Sequence, residues 1–227
     1  CLRSSAPDWG VKSIVRADPI IKPPTSDTMT IPVFFIVIGV YLIQPFELQS
    51  PRQIVTFGNM IPDPCTTVAF TGHRTYCGEA SAALAAAIRG LHAHGFRTFL
   101  CGMAVGFDLA AAEAVLELRG SLPGLRLVAV VPFGGQEARF SNADRVRYRA
   151  AMASADDAVV LSPVYHAGCY AVRNNYLVDH ASLLVAWYDG SPGGTCHTVF
   201  RALRRGLEFV NLHPQRAGVA LTEPTLF

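Results

Sequence analysis

Short, uninterrupted apolar runs alternate with helix-patterned stretches along most of the chain. The apolar runs are typical of buried strands, which we place at residues 67–70, 98–101, 125–131, 158–161, 183–187 and 209–212. The spacing of apolar positions between them predicts helices over residues 79–94, 109–118, 144–153, 173–181 and 198–205. Strands that are apolar on both faces and alternate with helices predict an α/β fold, with a Rossmann-like, open and mostly parallel sheet that has helices on both faces.

The first sixty residues do not continue this pattern. Their uncharged apolar run, residues 31–43, is shorter than the ~20 residues that a bilayer-spanning helix requires. The run could be a signal anchor or an added strand, or this part of the sequence could be read-through from upstream. We expect the third, with translation starting at Met60, an N-terminal extension over residues 1–59 and one domain over residues 60–227. We expect a cytoplasmic protein with no membrane partner, unless residues 31–43 anchor it.

Composition excludes several classes of protein. Hydrophobic residues make up 51% of the 227 residues and charged residues 16%, which excludes a largely disordered chain. The net charge of +2 argues against a nucleic acid partner. The six cysteines are scattered without a Cys-x-x-Cys pair, so we expect no metal site, and we expect no cofactor. The patterns G-x-x-x-x-G-K-[ST] and G-x-G-x-x-G are both missing.

Glycine turns follow three of the predicted strands, and in a parallel sheet these turns lie at one edge. Gly194 and Thr195 lie in the turn that leads into the last helix, where backbone N–H groups and the helix dipole favour an anion. Arg74 follows the first strand and suits bidentate phosphate binding. We therefore predict a phosphate-binding pocket at this edge. Its predicted ligand-binding residues are Thr71, Gly72, His73, Arg74, Gly102, Gly106, Asp108, Arg173, Asn174, Gly193, Gly194 and Thr195.

Several residues in or near the predicted pocket have both a functional and a purely structural interpretation. Asp108 could contact a ribose hydroxyl or could be the N-cap of the helix that follows Gly106. Tyr165 and Tyr170 could stack on a base or be ordinary half-buried tyrosines. Glu113 could reach the mouth of the pocket or be a solvated helix residue.

Five short motifs, in order, resemble those of one known family. They are TGHR at 71–74, GMAVGFDLAAAEAV at 102–115, VPF at 131–133 followed by Gln136, RNNYLVDHASLLVAWYDG at 173–190, and GGT at 193–195. Over about residues 68–212 the chain resembles the YpsA-like proteins of the SLOG superfamily, which includes the bacterial DNA-processing protein DprA and the LOG phosphoribohydrolases. The resemblance implies a Rossmann-like domain that binds a nucleotide or nucleotide-derived ligand such as ADP-ribose or NAD, and it implies self-association into a homo-oligomer.

The LOG enzymes cleave the N-glycosidic bond of a nucleoside monophosphate, and two of their motif residues are replaced here. Arg173 matches the LOG arginine, but Asn174 stands in place of the lysine and Thr198 in place of the glutamate of the PGGxGTxxE turn. A hydrolase would need that carboxylate to stabilise an oxocarbenium ion or to activate water. We therefore expect a sensor or regulatory protein, with a protein partner left open. The alternative is an N-glycosidase, with Arg173 and Glu113 as its candidate catalytic residues.

Overall fold

The fold comes from a computed structural model that describes residues 63–214, together with the backbone of residues 14–15 and 55–56. The apolar run at 31–43, the expected start at Met60 and the expected boundary between the extension and the domain lie outside the described residues. No helix within the described part of the chain is long and apolar enough to cross a membrane.

One sheet forms the centre of the molecule. Its strands are β1 (Ile14–Val15), β2 (Val55–Thr56), β3 (Thr67–Gly72), β4 (Thr98–Cys101), β5 (Arg126–Val131), β6 (Asp157–Val160), β7 (Leu183–Trp187) and β8 (Glu208–Asn211). They are arranged in the order β1-β8-β7-β3-β4-β5-β6-β2. The strands from β3 to β8 are all parallel, and the two-residue strands β1 and β2 pair antiparallel at the edges. The predicted α/β, Rossmann-like fold is confirmed.

Helices cover both faces of the sheet. They are α1 (Ser81–Ala93), α2 (Phe107–Arg119), α3 (Asn142–Ser154), α4 (Cys169–Asp179) and α5 (Gly194–Arg204), with short 3-10 turns at Pro64–Thr66 and Gln136–Arg139. Because successive strand residues point to opposite faces, Val68 and Phe70 pack with α1, α2 and α3, whereas Ala69 packs with α4 and α5. The core therefore consists of two apolar layers, one on each side of the sheet.

Three helices begin at or directly after a glycine, earlier in the chain than the sequence pattern predicts. Helix α2 begins at Phe107 with Gly106 as its N-cap, so the prediction that Asp108 caps it is wrong. Asp108 lies in the first turn and accepts a hydrogen bond from the backbone N–H of Ala104 at 3.3 Å. Helices α4 and α5 follow Gly168 and Gly193 and begin at Cys169 and Gly194, one turn earlier than the apolar spacing indicates.

The strand order reverses between β3 and β7. From β3 the chain adds β4, β5 and β6 on one side, and it then crosses to the other side of β3 to form β7 and β8. The connections that leave β3 and β7 consequently run to opposite faces of the sheet. Such a switch point leaves a crevice beyond the carboxyl ends of the two strands, and this is where open α/β sheets bind ligands.

A buried ion pair joins α4 to the segment between β4 and α2. The Arg173 guanidinium lies 3.4 Å from the Asp108 carboxylate, donates to the backbone carbonyl of Gly102, and donates to the side-chain oxygen of Asn174 at 2.8 Å. Arg173 is 7% exposed and Asp108 is 4% exposed. Burial raises the pKa of the Asp108 carboxyl above its ordinary value, and the charge of Arg173 opposes that rise. A side chain at Gly102 would collide with the guanidinium, so this position requires glycine.

The end of β3 packs so closely on α2 that Gly72 cannot carry a side chain. A Cβ atom at Gly72 would lie 2.5 Å from Cγ and 2.6 Å from Cδ1 of Phe107, which is fully buried. We expect Gly72→Ala to lower the free energy of unfolding by about 1–3 kcal/mol, the usual cost of overpacking a core. Urea denaturation measures this. Gly120→Ala is the matched control, because nothing lies within 4 Å of its Cβ position. Equal midpoints for the two variants would contradict the prediction.

Removing Arg173 should destabilise the protein more at high pH than at low pH. Arg173→Met leaves the Asp108 carboxylate buried without its cation, which costs about 3–5 kcal/mol. The lost hydrogen bonds to Gly102 and Asn174 cost stability at every pH. The loss of the cation raises the Asp108 pKa further above its unfolded value, so the destabilisation is smaller while Asp108 is protonated and grows as pH rises through the folded-state pKa. Urea denaturation at about pH 5 and about pH 8 checks this.

Two further variants serve as controls for that measurement. Arg119→Met removes a partly exposed pair with Asp156 at 3.2 Å and should cost about 0–1 kcal/mol. In an Asp108→Asn background the extra pH dependence caused by Arg173→Met should disappear, because no carboxyl remains to titrate. An equal loss of stability at both pH values in the Arg173→Met single variant would contradict the prediction.

Candidate functional site

A cleft of about 540 Å³ lies at the carboxyl edge of the sheet, where the strand order reverses. It is bordered by the turns after β3 and β7 and by the first turns of α4 and α5. Its lining residues are Thr71, Gly72, His73, Arg74, Thr75, Ala104, Asp108, Tyr170, Arg173, Asn174, Asp189, Ser191, Gly194 and Thr195. The structure therefore brings together all the predicted ligand-binding residues except Gly102, Gly106 and Gly193.

Those three glycines shape the backbone around the cleft. Gly102 makes room for the Arg173 guanidinium. Gly106 has φ +83°, and a Cβ there would lie 2.6 Å from the carbonyl oxygens of His73 and Arg74. Gly193, with φ +141°, is the N-cap of α5 and directly precedes the lining residue Gly194. Each of these positions therefore requires glycine for a reason within the fold, independent of any contact with a ligand.

Arg74 supplies positive charge at the cleft. It follows β3 directly and is exposed, and its guanidinium carbon lies 5.7 Å from the centre of the Tyr170 ring. Among the residues that the structure describes, no carboxylate forms an ion pair with Arg74. Its fork of N–H donors is therefore available to an anion.

The N-terminus of α5 forms a second side of the cleft. The Gly194 carbonyl accepts hydrogen bonds from the Thr198 hydroxyl at 2.8 Å and from the Asn174 side-chain amide at 3.3 Å. The bond from Asn174 ties the first turn of α5 to α4, and the bond from Thr198 lies within α5. The leading N–H groups of a helix have no acceptor within it, so those of α5 can bind a negative group in the cleft.

His73 and Asp189 form an ion pair across the switch point. The His73 Nε2 lies 2.9 Å from an Asp189 carboxylate oxygen, and the His73 ring stacks on Tyr188 with 5.7 Å between ring centres. Burial acts to raise the pKa of Asp189, but hydrogen bonds from Ser191 and the neighbouring His73 outweigh it and hold the pKa below its ordinary value. Asp189 thus remains ionised at neutral pH.

The two candidate catalytic residues have partners within the protein. Glu113 pairs with Arg147 through two contacts of 2.7 Å, in a second groove of about 600 Å³ between α1, α2 and α3, which Arg74 also lines. The Glu113 side chain is 35% exposed, so it is a partly solvated, paired helix residue that does not line the cleft. Arg173 does line the cleft, but its guanidinium is bound to Gly102, Asp108 and Asn174.

Residues 63–214 contain no group of three His, Cys, Asp or Glu that could hold a metal ion.

Five lining residues are not among the predicted ligand-binding residues. Tyr170 was considered only as an alternative, and Thr75, Ala104, Asp189 and Ser191 were left out. Thr75, Asp189 and Ser191 lie within a few residues of the ends of β3 and β7, so extending each predicted turn to its full length would have included them. Ala104 lies between the predicted residues Gly102 and Gly106, so its position in the turn after β4 was a signal although its side chain was not.

Comparison with known proteins agrees with this architecture. The family model YpsA, described as the YspA SLOG family, matches residues 69–208. The UPF0398 protein BH1768 of Halalkalibacterium halodurans is 30% identical over 103 residues, which are 44% of this chain and 54% of that protein. The SPbeta prophage-derived protein YoqJ of Bacillus subtilis is 27% identical over 130 residues, which are 51% of this chain and 76% of YoqJ.

A solved structure shares the fold. The crystal structure of DNA processing protein A from Streptococcus pneumoniae superposes with a TM-score of 0.51 at 19% identity, covering 64% of this chain and 49% of that one. The chain thus spans about half the length of BH1768 and of DNA processing protein A. The match to the family model covers more than half of the chain. The protein therefore belongs to the YspA SLOG family.

Proposed function

We propose that the protein binds a nucleotide or nucleotide-derived ligand by its phosphate in the switch-point cleft, as a sensor or regulatory protein. One observation carries the proposal: an arginine without an acidic partner among the described residues, Arg74, and the N-terminus of α5 border the same cleft. Guanidinium groups and helix N-termini are two common devices for phosphate recognition. We take residues 60–227 as the ligand-binding domain.

The charges around the cleft support an anionic ligand. Of the two carboxylates that line it, Asp108 is paired with Arg173, and Asp189 contacts the His73 ring nitrogen. Arg74 and the dipole of α5 add positive potential to the cleft, and the charge of Arg74 also acts on Asp108. The volume of about 540 Å³ falls within the ~300–1,000 Å³ that is usual for small-molecule sites.

The side chains that could serve an N-glycosidase are bound within the protein, and this favours binding over hydrolysis. The Thr198 hydroxyl, at the position of the LOG glutamate, donates to the Gly194 carbonyl, and Glu113 pairs with Arg147 outside the cleft. An N-glycosidase would need an acid or base at the glycosidic bond. We expect no release of free base from nucleoside monophosphates or NAD at micromolar protein. Release of base would contradict the sensor proposal and support the alternative.

Replacing Arg74 should weaken binding of the phosphate. We expect Arg74→Ala to reduce affinity by about 1.5–3 kcal/mol, roughly tenfold to a hundredfold, because a charge-assisted hydrogen bond is lost. Titration calorimetry with ADP-ribose, NAD, AMP and cyclic nucleotides measures this. Arg89→Ala is the control, because Arg89 is an exposed arginine of α1 that does not line the cleft.

Two results would count against the proposal in different ways. If the wild-type protein binds none of these nucleotides, the proposed function is wrong. If it binds one and Arg74→Ala binds it equally well, the ligand lies elsewhere. The same titration should include a dT oligonucleotide. It tests the prediction that nucleic acid is not a partner, which rests on the small net charge of +2.

A further inference from the structure

Most of the exposed large apolar side chains of the described residues lie beside the cleft. Val164 is 65% exposed, Tyr165 is 53% exposed and Val172 is 37% exposed, all in the β6–α4 loop and the first turn of α4. The remaining exposed large apolar side chain of the described residues is Val146 on α3, which is 69% exposed. Single exposed apolar side chains are normal, so the feature that distinguishes this surface is the packing of aromatic rings within it.

Three aromatic rings give this patch a defined shape, and we call them the aromatic shelf: Phe133, Tyr165 and Tyr170. Phe133 is 8% exposed and contacts both tyrosines edge to face, with ring centres at 5.3 Å from Tyr165 and 5.8 Å from Tyr170. The two tyrosine rings are 6.4 Å apart and tilted by 58°. The buried Phe133 thus supports two tyrosines that reach towards the solvent.

Each tyrosine of the shelf has an arginine over its ring. Arg74 lies 5.7 Å from the centre of Tyr170, and Arg139 lies 5.6 Å from the centre of Tyr165. Both arginines are exposed, and neither has a carboxylate partner within residues 63–214. Aromatic faces combined with guanidinium groups are the surface on which nucleic acid bases stack.

The shelf is continuous with the phosphate side of the cleft. Tyr170 and Arg74 both line the cleft, and they also contact each other. A ligand whose phosphate is bound by Arg74 and the α5 N-terminus therefore has an aromatic surface immediately beside it. This continuity indicates that the occupant of the shelf belongs to the same ligand.

We propose that the aromatic shelf is the subsite for the planar base of the ligand, with the base stacked on the exposed ring of Tyr165 and the tilted ring of Tyr170 against its edge. This inference rests on the proposed function and adds to it that the ligand keeps its base and that the base contributes to binding. Stacking depends on the π-face that all bases share. The shelf therefore selects for the presence of a base more than for its identity.

Calorimetry with two probes that differ in the base tests this inference. ADP-ribose carries adenine, whereas ribose 5-phosphate keeps the sugar and phosphate without a base and can be followed by competition with ADP-ribose. We expect Tyr165→Ala to weaken ADP-ribose binding about tenfold, the scale of one lost base-stacking contact, and to leave ribose 5-phosphate binding unchanged. Tyr170→Ala should weaken ADP-ribose binding more than ribose 5-phosphate binding, because its ring contacts Arg74 as well as the base. Tyr165→Phe should restore the affinity because it keeps the ring. Val146→Ala controls for loss of an exposed apolar side chain elsewhere.

The outcomes separate this inference from the proposed function. If Arg74→Ala weakens ADP-ribose binding and the tyrosine variants do not, the phosphate site stands and the shelf inference is wrong. Equal losses for ADP-ribose and ribose 5-phosphate would also overturn it, because the tyrosines would then act on the phosphate. Tyrosine variants that keep full ADP-ribose affinity but change the oligomeric state would show a protein contact surface instead. If the wild type binds neither probe and also binds no NAD, AMP or cyclic nucleotide, both proposals are wrong.

Discussion

Burying the Arg173–Asp108 ion pair removes two charges from water, and the arrangement is stable only because each charge has several partners. The guanidinium binds the Gly102 carbonyl and the Asn174 side chain in addition to Asp108, and the Asp108 carboxylate also accepts the Ala104 N–H. Such a cluster fixes geometry more than it adds net stability, because desolvation offsets much of the Coulomb attraction. Here it fixes the start of α2 relative to α4, and both helices border the cleft.

The geometry of the cleft follows from that cluster and from the switch in strand order. Asn174 contacts Arg173 through its side-chain oxygen and the Gly194 carbonyl through its side-chain amide, so the ion pair and the α5 N-terminus are linked by one residue. The crossing from β6 to β7 brings α4 beneath the crevice. Charge compensation within this frame leaves Arg74 as the cation that faces the cleft. Packing and electrostatics together therefore determine which charge faces the cleft.

The sequence predicted the sheet well because strands buried on both faces have an unmistakable apolar pattern. The bounds of the strands at 98–101 and 183–187 agree with β4 and β7. Helix starts were predicted less well, since α5 begins at glycine residues that carry no periodicity. Side-chain roles were harder still. Nothing local shows that Asp108 pairs with Arg173 or that Glu113 faces Arg147, because those partners are distant in sequence and meet only after the sheet has formed.

Two arginines that look alike in the sequence have opposite roles in the structure, and the difference is one of solvation. Arg173, which matches an arginine of the LOG motif, is buried and bound to internal acceptors, whereas Arg74 is exposed and stacked on Tyr170. A buried, paired guanidinium holds its neighbours in place and has few donors left for a ligand. An exposed one without an acidic partner can exchange water for phosphate at little cost. A match in residue type at a motif position thus fixes the chemistry of a side chain but not its task, which depends on the partners that the fold provides.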